Sequence, residues 1–226
     1  YDYLVTHDKN FCSLPENYIK KLEWLKNDNE TVYDPQCDDI IRVVFMYKFK
    51  RAKIAELVKM LSGRDFDTRD FKEEIIDSTY KGLYSGVLDF INEYNFKQFV
   101  IAIKSAGFIS SKLINSNMAI DFAYALYLIL QTSKEVPVSE IKHVVQKWYV
   151  LSVLTGRYSS SPESTFSKDL HRISEDGVVE TLKSIEAAVL SDNFWNVQIP
   201  QDLSFTSTNN PTYLVYLAAQ VYFNDT

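Results

Sequence analysis

Between Asn117 and Gln131 the chain is strongly apolar, carrying Met118, Ile120, Phe122, Ala123, Leu126, Tyr127, Ile129 and Leu130. A helix of that composition has little to give to water, so it belongs at the centre of the fold. A second stretch is nearly as demanding. Ile40, Ile41, Val43, Val44, Phe45, Met46, Tyr47 and Phe49 are too dense for a surface helix, and their β-branched members leave a strand as the alternative. Breakers are scarce around both, with 6 Gly and 6 Pro against 15 Tyr and 14 Phe in 226 residues. Long elements and short turns follow. The expectation is an all-α fold, a single multi-helix bundle of about eight to ten helices with short connections.

Residues 1–12 read as an extended lead-in from an upstream domain, and residues 13–226 as one helical domain. Ser13-Leu14-Pro15-Glu16 fits a capping box, and Asp38-Asp39 fits the start of the next helix, where acids complement the dipole. A helix from about Ala52 to Leu61 stops at Ser62-Gly63. Asp70 to Glu73 suggests reciprocal capping of a helix reaching Asn92, with Gly82 and Gly86 on one face where another helix can approach closely. Phe96 to Ser105 is a short helix ended by Gly107. Pro137 and Ser139 start a helix whose Ile141, Val144, Val145, Trp148 and Leu151 form one stripe. Ser161-Pro162 opens another that runs to about Ile173 and breaks at Asp176-Gly177. Val178 to Leu190 is amphipathic, Phe194 to Thr208 reads as irregular, and Asn210-Pro211 starts a last helix through Phe223.

Composition removes several function classes. A net charge of −6 argues against a protein that binds nucleic acid over its whole surface, and leaves room for a local basic groove. Cys12 and Cys37 form no CxxC pair, so neither a disulfide framework nor a structural zinc site is expected, and a reducing cytoplasm is the default location. No apolar run approaches the roughly 18 residues of a membrane span, so no membrane partner is expected. The methionines are Met46, Met60 and Met118, and a chain opening on Tyr1 reads as a piece of something longer. His7, His143 and His171 form no metal-ligand spacing, and His143 and His171 read as partly exposed helix residues. Glu73-Glu74 and Asp38-Asp39 fit helix starts better than acid–base pairs. There is neither a GxSxG elbow nor a phosphate loop.

Two places remain. Lys48, Lys50, Arg51 and Lys53, with Phe49 interleaved, could track a nucleic-acid backbone, or could be the cations that oppose the negative pole of a helix end. Lys147 to Ser164 reads as the end of a buried helix, a sharp turn and a new helix start. There Arg157, Ser159, Ser160 and Ser161 are candidates for binding phosphate or another anion. The architectural alternative bonds Arg157 to helix carbonyls or to an acid such as Glu163 or Asp169. Tyr158 would then pack under the corner with its hydroxyl hydrogen-bonded.

Trp148, then Leu154-Thr155-Gly156-Arg157-Tyr158-Ser159-Ser160-Ser161-Pro162-Glu163-Ser164 and Lys168-Asp169-Leu170, resembles the helical part of GmrSD-type proteins. These are bacterial and archaeal nucleases linked to restriction of modified DNA. The order of elements from the Asp39–Phe49 helix through Leu61-Ser62-Gly63-Arg64-Asp65-Phe66 is similar too. The resemblance implies a non-catalytic helical domain between two chemical modules. An upstream ParB-like module would carry an Asp-Gly-Gln-Gln-Arg motif, and a downstream HNH segment would supply histidines. The family would use a nucleotide and a divalent metal on those modules. Neither motif occurs in these residues, so no catalytic residue and no cofactor site carries over. The partners implied are the upstream and downstream domains, DNA, and a second copy in a homodimer. The alternative is a protein-interaction or oligomerisation scaffold with no direct DNA contact, suggested by the negative charge and the aromatic content.

Overall fold

The apolar run is a helix in the computed structural model, and every residue from Ala119 to Leu130 within it is buried. Residues 24–25, 32–66, 68–204, 207 and 209–224 are described. The lead-in at 1–12 and the capping box at Ser13–Glu16 lie outside them. The described residues form α1 (Cys37–Phe49), α2 (Ile54–Leu61), α3 (Glu73–Phe90), α4 (Glu93–Ser105), α5 (Asn117–Ser133), α6 (Val138–Leu154), α7 (Pro162–Asp176), α8 (Val178–Val189), α9 (Ile199–Ser204) and α10 (Pro211–Asn224). The fold is all-α, with ten helices and no strand among the described residues. One isolated bridge joins Arg64 and Phe71. No described helix is long and apolar enough to cross a membrane.

α5 is the axis. α1, α4 and α6 pack against it, α3 covers α1, and α8 and α10 cover α6. The ring of Phe122 on α5 stacks on Phe166 of α7 at 5.2 Å, which draws α7 onto the same core. The Ser116 hydroxyl caps α5 by accepting from the Ala119 N–H at 3.3 Å. Tyr124 anchors α5 on its other flank, stacking on Phe99 at 4.6 Å and donating its hydroxyl to the Phe90 carbonyl at 2.7 Å.

α1 is a helix and not a strand, and α3 meets it with a glycine face. A Cβ on Gly86 would stand 2.4 Å from Val44 Cγ1, and one on Gly82 would stand 2.6 Å from Phe49 Cζ. The absent side chains are therefore what lets the two helices approach. The expected start of α3 is corrected. Its first turn follows Lys72, with no capping side chain. Asp70 instead turns its carbonyl to the Asp65 N–H at 2.8 Å, and the Lys72 N–H donates to Gly63 at 2.7 Å. The chain thus doubles back before α3 begins, and the local pairing of residues 63–72 takes precedence over capping. Ser161 holds the N-cap position of α7 and Pro162 its first turn, but the hydroxyl makes no cap bond. The stretch read as irregular is also corrected: a π-helical turn at Phe194–Gln198 leads directly into α9. Its sequence lacks a clear apolar stripe because only Phe194 there is buried.

Candidate functional site

The corner after α6 is built from backbone outward. Gly156 adopts φ +58°, which lets the Arg157 N–H reach back to the Ser152 carbonyl at 3.0 Å. The turn drives Tyr158 inward, where its ring packs on Phe122 at 5.0 Å and Phe166 at 4.6 Å. Its hydroxyl accepts from Trp148 Nε1 at 3.0 Å and donates to Asp169 Oδ2 at 2.9 Å. Arg157 Nε donates to the same oxygen at 2.8 Å, and Nη2 pairs with Oδ1. Burial opposes the Arg157 charge, but the hydrogen bond and the charge of Asp169 outweigh it and raise its pKa. Burial, then the Asp169 charge, raises Tyr158 well above the ordinary phenol value, so it stays a neutral donor.

Arg157 is thereby brought to Asp169, and no hydrogen bond among the described residues joins it to the three serines. Ser159, Ser160 and Ser161 are exposed, and the Ser159 hydroxyl donates to the Gly156 carbonyl at 2.7 Å. Ser159 lines a recess of about 370 Å³ with Asn115, Ser116, Asn117 and Ser152. The Ser152 hydroxyl is buried and has no partner among the described residues.

A second buried carboxylate escapes sequence reading. Asp121, on α5, accepts from the Tyr33 hydroxyl at 2.8 Å and from Arg42 Nη1 at 2.7 Å. The same Nη1 donates to Asp39 Oδ1 at 2.9 Å, so one guanidinium nitrogen serves two acids. Burial, and then the Asp39 charge, pushes Asp121 up to about 7, against the opposing pull of Tyr33 and Arg42. Its partners stand 79 and 88 residues away in sequence. A lone acid inside the apolar run was the one local sign.

The basic cluster divides. Lys48 turns toward α3 and pairs with Asp89 at 2.7 Å. Lys50, at φ 54° past the end of α1, folds its ammonium back onto the Tyr47 carbonyl at 2.8 Å. The residue is exposed as a whole, but the tucked ammonium is poorly hydrated and is repelled by Lys48, which lowers its pKa to about 8. Arg51 pairs with Glu56 at 3.0 Å and lies 4.4 Å over the Phe66 ring. Lys53 is exposed at the N-cap of α2.

Lys50, Arg51 and Lys53 line one recess of about 320 Å³ together with Ser167, His171 and Ser174 of α7. Sequence reading missed the α7 members as a group. Their spacing of four and then three places them along one edge of the helix, beside buried Phe166, Leu170 and Ile173, but does not say what that edge faces. Both serines donate to carbonyls of their own helix, Ser167 to Glu163 and Ser174 to Leu170, each at 2.8 Å. The donors left to a ligand are therefore lysine, arginine and histidine nitrogens. Compared with family models, with curated proteins and with solved structures, the chain matches none.

Proposed function

We propose that the chain is a non-catalytic helical domain of a GmrSD-like nuclease that restricts modified or foreign DNA. In this reading it links the catalytic modules and touches the DNA backbone through the corner between α1, α2 and α7. The family half of the reading rests on Trp148 and the Leu154–Ser164 motif. The DNA half is supported by one observation, the convergence of Lys50, Arg51 and Lys53 on a single recess in a chain of net charge −6. Cations gathered at one place can hold phosphates although the average charge repels them.

Fluorescence anisotropy with a labelled duplex tests the DNA half. Affinity should fall steeply with salt, and each of Lys50→Ala, Arg51→Ala and Lys53→Ala should reduce the salt slope by about 1. Duplex binding with no salt dependence, or none at all, overturns it. The purified chain should not cleave DNA with any nucleotide or divalent metal, and robust cleavage would sink the non-catalytic reading. The family half is checked in the coding sequence on either side, where an Asp-Gly-Gln-Gln-Arg module upstream and an HNH segment downstream are expected.

A second reading, a protein-interaction or oligomerisation scaffold, has its own observation. Trp195, Val197, Leu203, Tyr216, Tyr222 and Phe223 are exposed on the π turn, α9 and α10. α10 carries no charged side chain. Exposed aromatics in such number mark interaction surfaces. Sedimentation of the chain with and without Trp195→Ser and Phe223→Ser distinguishes an assembling surface from an inert one.

A further inference from the structure

We infer that the recess between the end of α1, the start of α2 and the edge of α7 seats a single phosphate group. The inference rests on reading that corner as the one that meets DNA, and it adds the α7 residues and the chemistry of the contact.

The acid that lines the recess, Glu56, is already matched by Arg51 at 3.0 Å. Lys50 and Lys53 are then in excess. Arg51 lies 4.4 Å over the Phe66 ring and uses one Nη on Glu56, which leaves it further N–H donors. Lys50 spends one N–H on the Tyr47 carbonyl and keeps two. Burial and then Lys48 lower its pKa to about 8, so it is still a cation at neutral pH, and an anion in the recess would stabilise that charge. His171 of α7 lines the same recess, with its side chain largely exposed and its Nε2 3.4 Å from Glu175 on its own helix; the other charged groups lining the recess are Lys50, Arg51, Lys53 and Glu56.

The ligand class follows from the donor arrangement. A phosphate group carries three strong acceptor oxygens against a carboxylate's two, so it can take donors from several directions at once. Here the donors come from two walls, the 50–53 segment and α7. The hydroxyls of Ser167 and Ser174 already donate within α7, so the seat relies on nitrogen donors. Lys48 is excluded, because it lines no part of the recess and is tied to Asp89. It therefore separates a seat from a general positive field.

The test is an NMR titration of the chain with inorganic phosphate, reading the imidazole resonances of His171, with exposed His143 on α6 as the internal control. A saturable shift is expected at His171 and not at His143. Lys50→Met and Lys53→Met should weaken it by about tenfold, and Lys48→Met should leave it within about twofold, as expected for charge-assisted bonds lost or kept. His171→Gln, followed by the backbone amide shifts of residues 50–53 in the same titration, should weaken phosphate binding without changing the thermal midpoint. A shift that does not saturate, or an equal loss with Lys48→Met, overturns the inference.

Two competitors identify the source of the phosphate. Displacement by a short duplex assigns it to the nucleic-acid backbone. Displacement by a 5′-mononucleotide but not by duplex keeps the seat and removes the DNA reading. Salt-dependent duplex binding that leaves His171 and its phosphate response unmoved removes the seat and keeps the DNA reading.

Discussion

Two buried carboxylates in this fold are dressed alike and paired differently. Asp169 and Asp121 each meet one arginine and one tyrosine hydroxyl, and both are fully buried. Around Asp169 the charges cancel, since Arg157 offers Nε and Nη2 to the two oxygens of one acid. Around Asp121 they do not, since a single nitrogen of Arg42 is divided between Asp121 and Asp39. One cation between two acids leaves a negative charge in a dry place, and Asp121 responds by holding its proton up to about 7. The same pair of residue types thus gives one guanidinium to one acid at Asp169 and one guanidinium to two acids at Asp121.

The same substitution at both sites should have unequal consequences. Asp169→Asn places an amide N–H against an arginine donor whichever way it is turned, because both carboxylate oxygens face Arg157. It should destabilise by about 3–5 kcal/mol in a denaturant titration, the usual effect of leaving a buried charge unpaired. Removing the hydroxyls is the next test. Tyr158→Phe deprives Trp148 of an acceptor and Asp169 of a donor, and should cost about 2 kcal/mol. Tyr33→Phe removes only one donor from Asp121 and should cost about 1 kcal/mol. Equal losses at the two tyrosines would remove the distinction between the sites.

Asp121→Asn should have the smallest effect, less than about 1 kcal/mol at pH 6, because an amide can accept from Arg42 and donate to the Tyr33 oxygen as a protonated acid would. The same substitution carries a pH signature. Asp121 holds a proton in the folded chain up to about 7 and in the unfolded chain only to its ordinary value. The folded state therefore binds more protons across that interval. Stability conferred by the site is greatest on the acid side and declines as pH rises toward about 7. Urea midpoints taken across this range should fall with pH in the parent chain, and the decline should be shallower in Asp121→Asn. An unchanged slope would show that Asp121 ionises normally.

The two sites also differ in how far they could be read from residues alone. Arg157, Tyr158 and Asp169 lie within 12 positions of each other, across a glycine turn and the first turns of a helix. Local geometry limits what Arg157 can reach, and Asp169 was one of two acids within range. Asp121 depends on Tyr33 and Arg42, which come from the segment before α1 and from α1 itself. No spacing rule connects them to α5. The basic cluster shows the same limit at shorter range. Lys48 and Lys50 are two residues apart, yet one turns to Asp89 on α3 and the other lines the recess shared with α7. Lys48 still belongs to α1 and follows its packing on α3, whereas the left-handed backbone at Lys50, past the helix end, sends that side chain another way.

What the sequence determined by itself was local and periodic. The all-α class, the central place of α5, the glycine face of α3 and the corner at Gly156 follow from apolar spacing, capping residues and breakers, which act within a few turns of chain. Tertiary structure alone decided which cation meets which acid, where Asp121 finds its partners, and that His171 shares a recess with Lys50, Arg51 and Lys53. Hydrogen bonds and ion pairs act over about 3–4 Å, so a partner far away in sequence is chosen only when helix packing closes the distance.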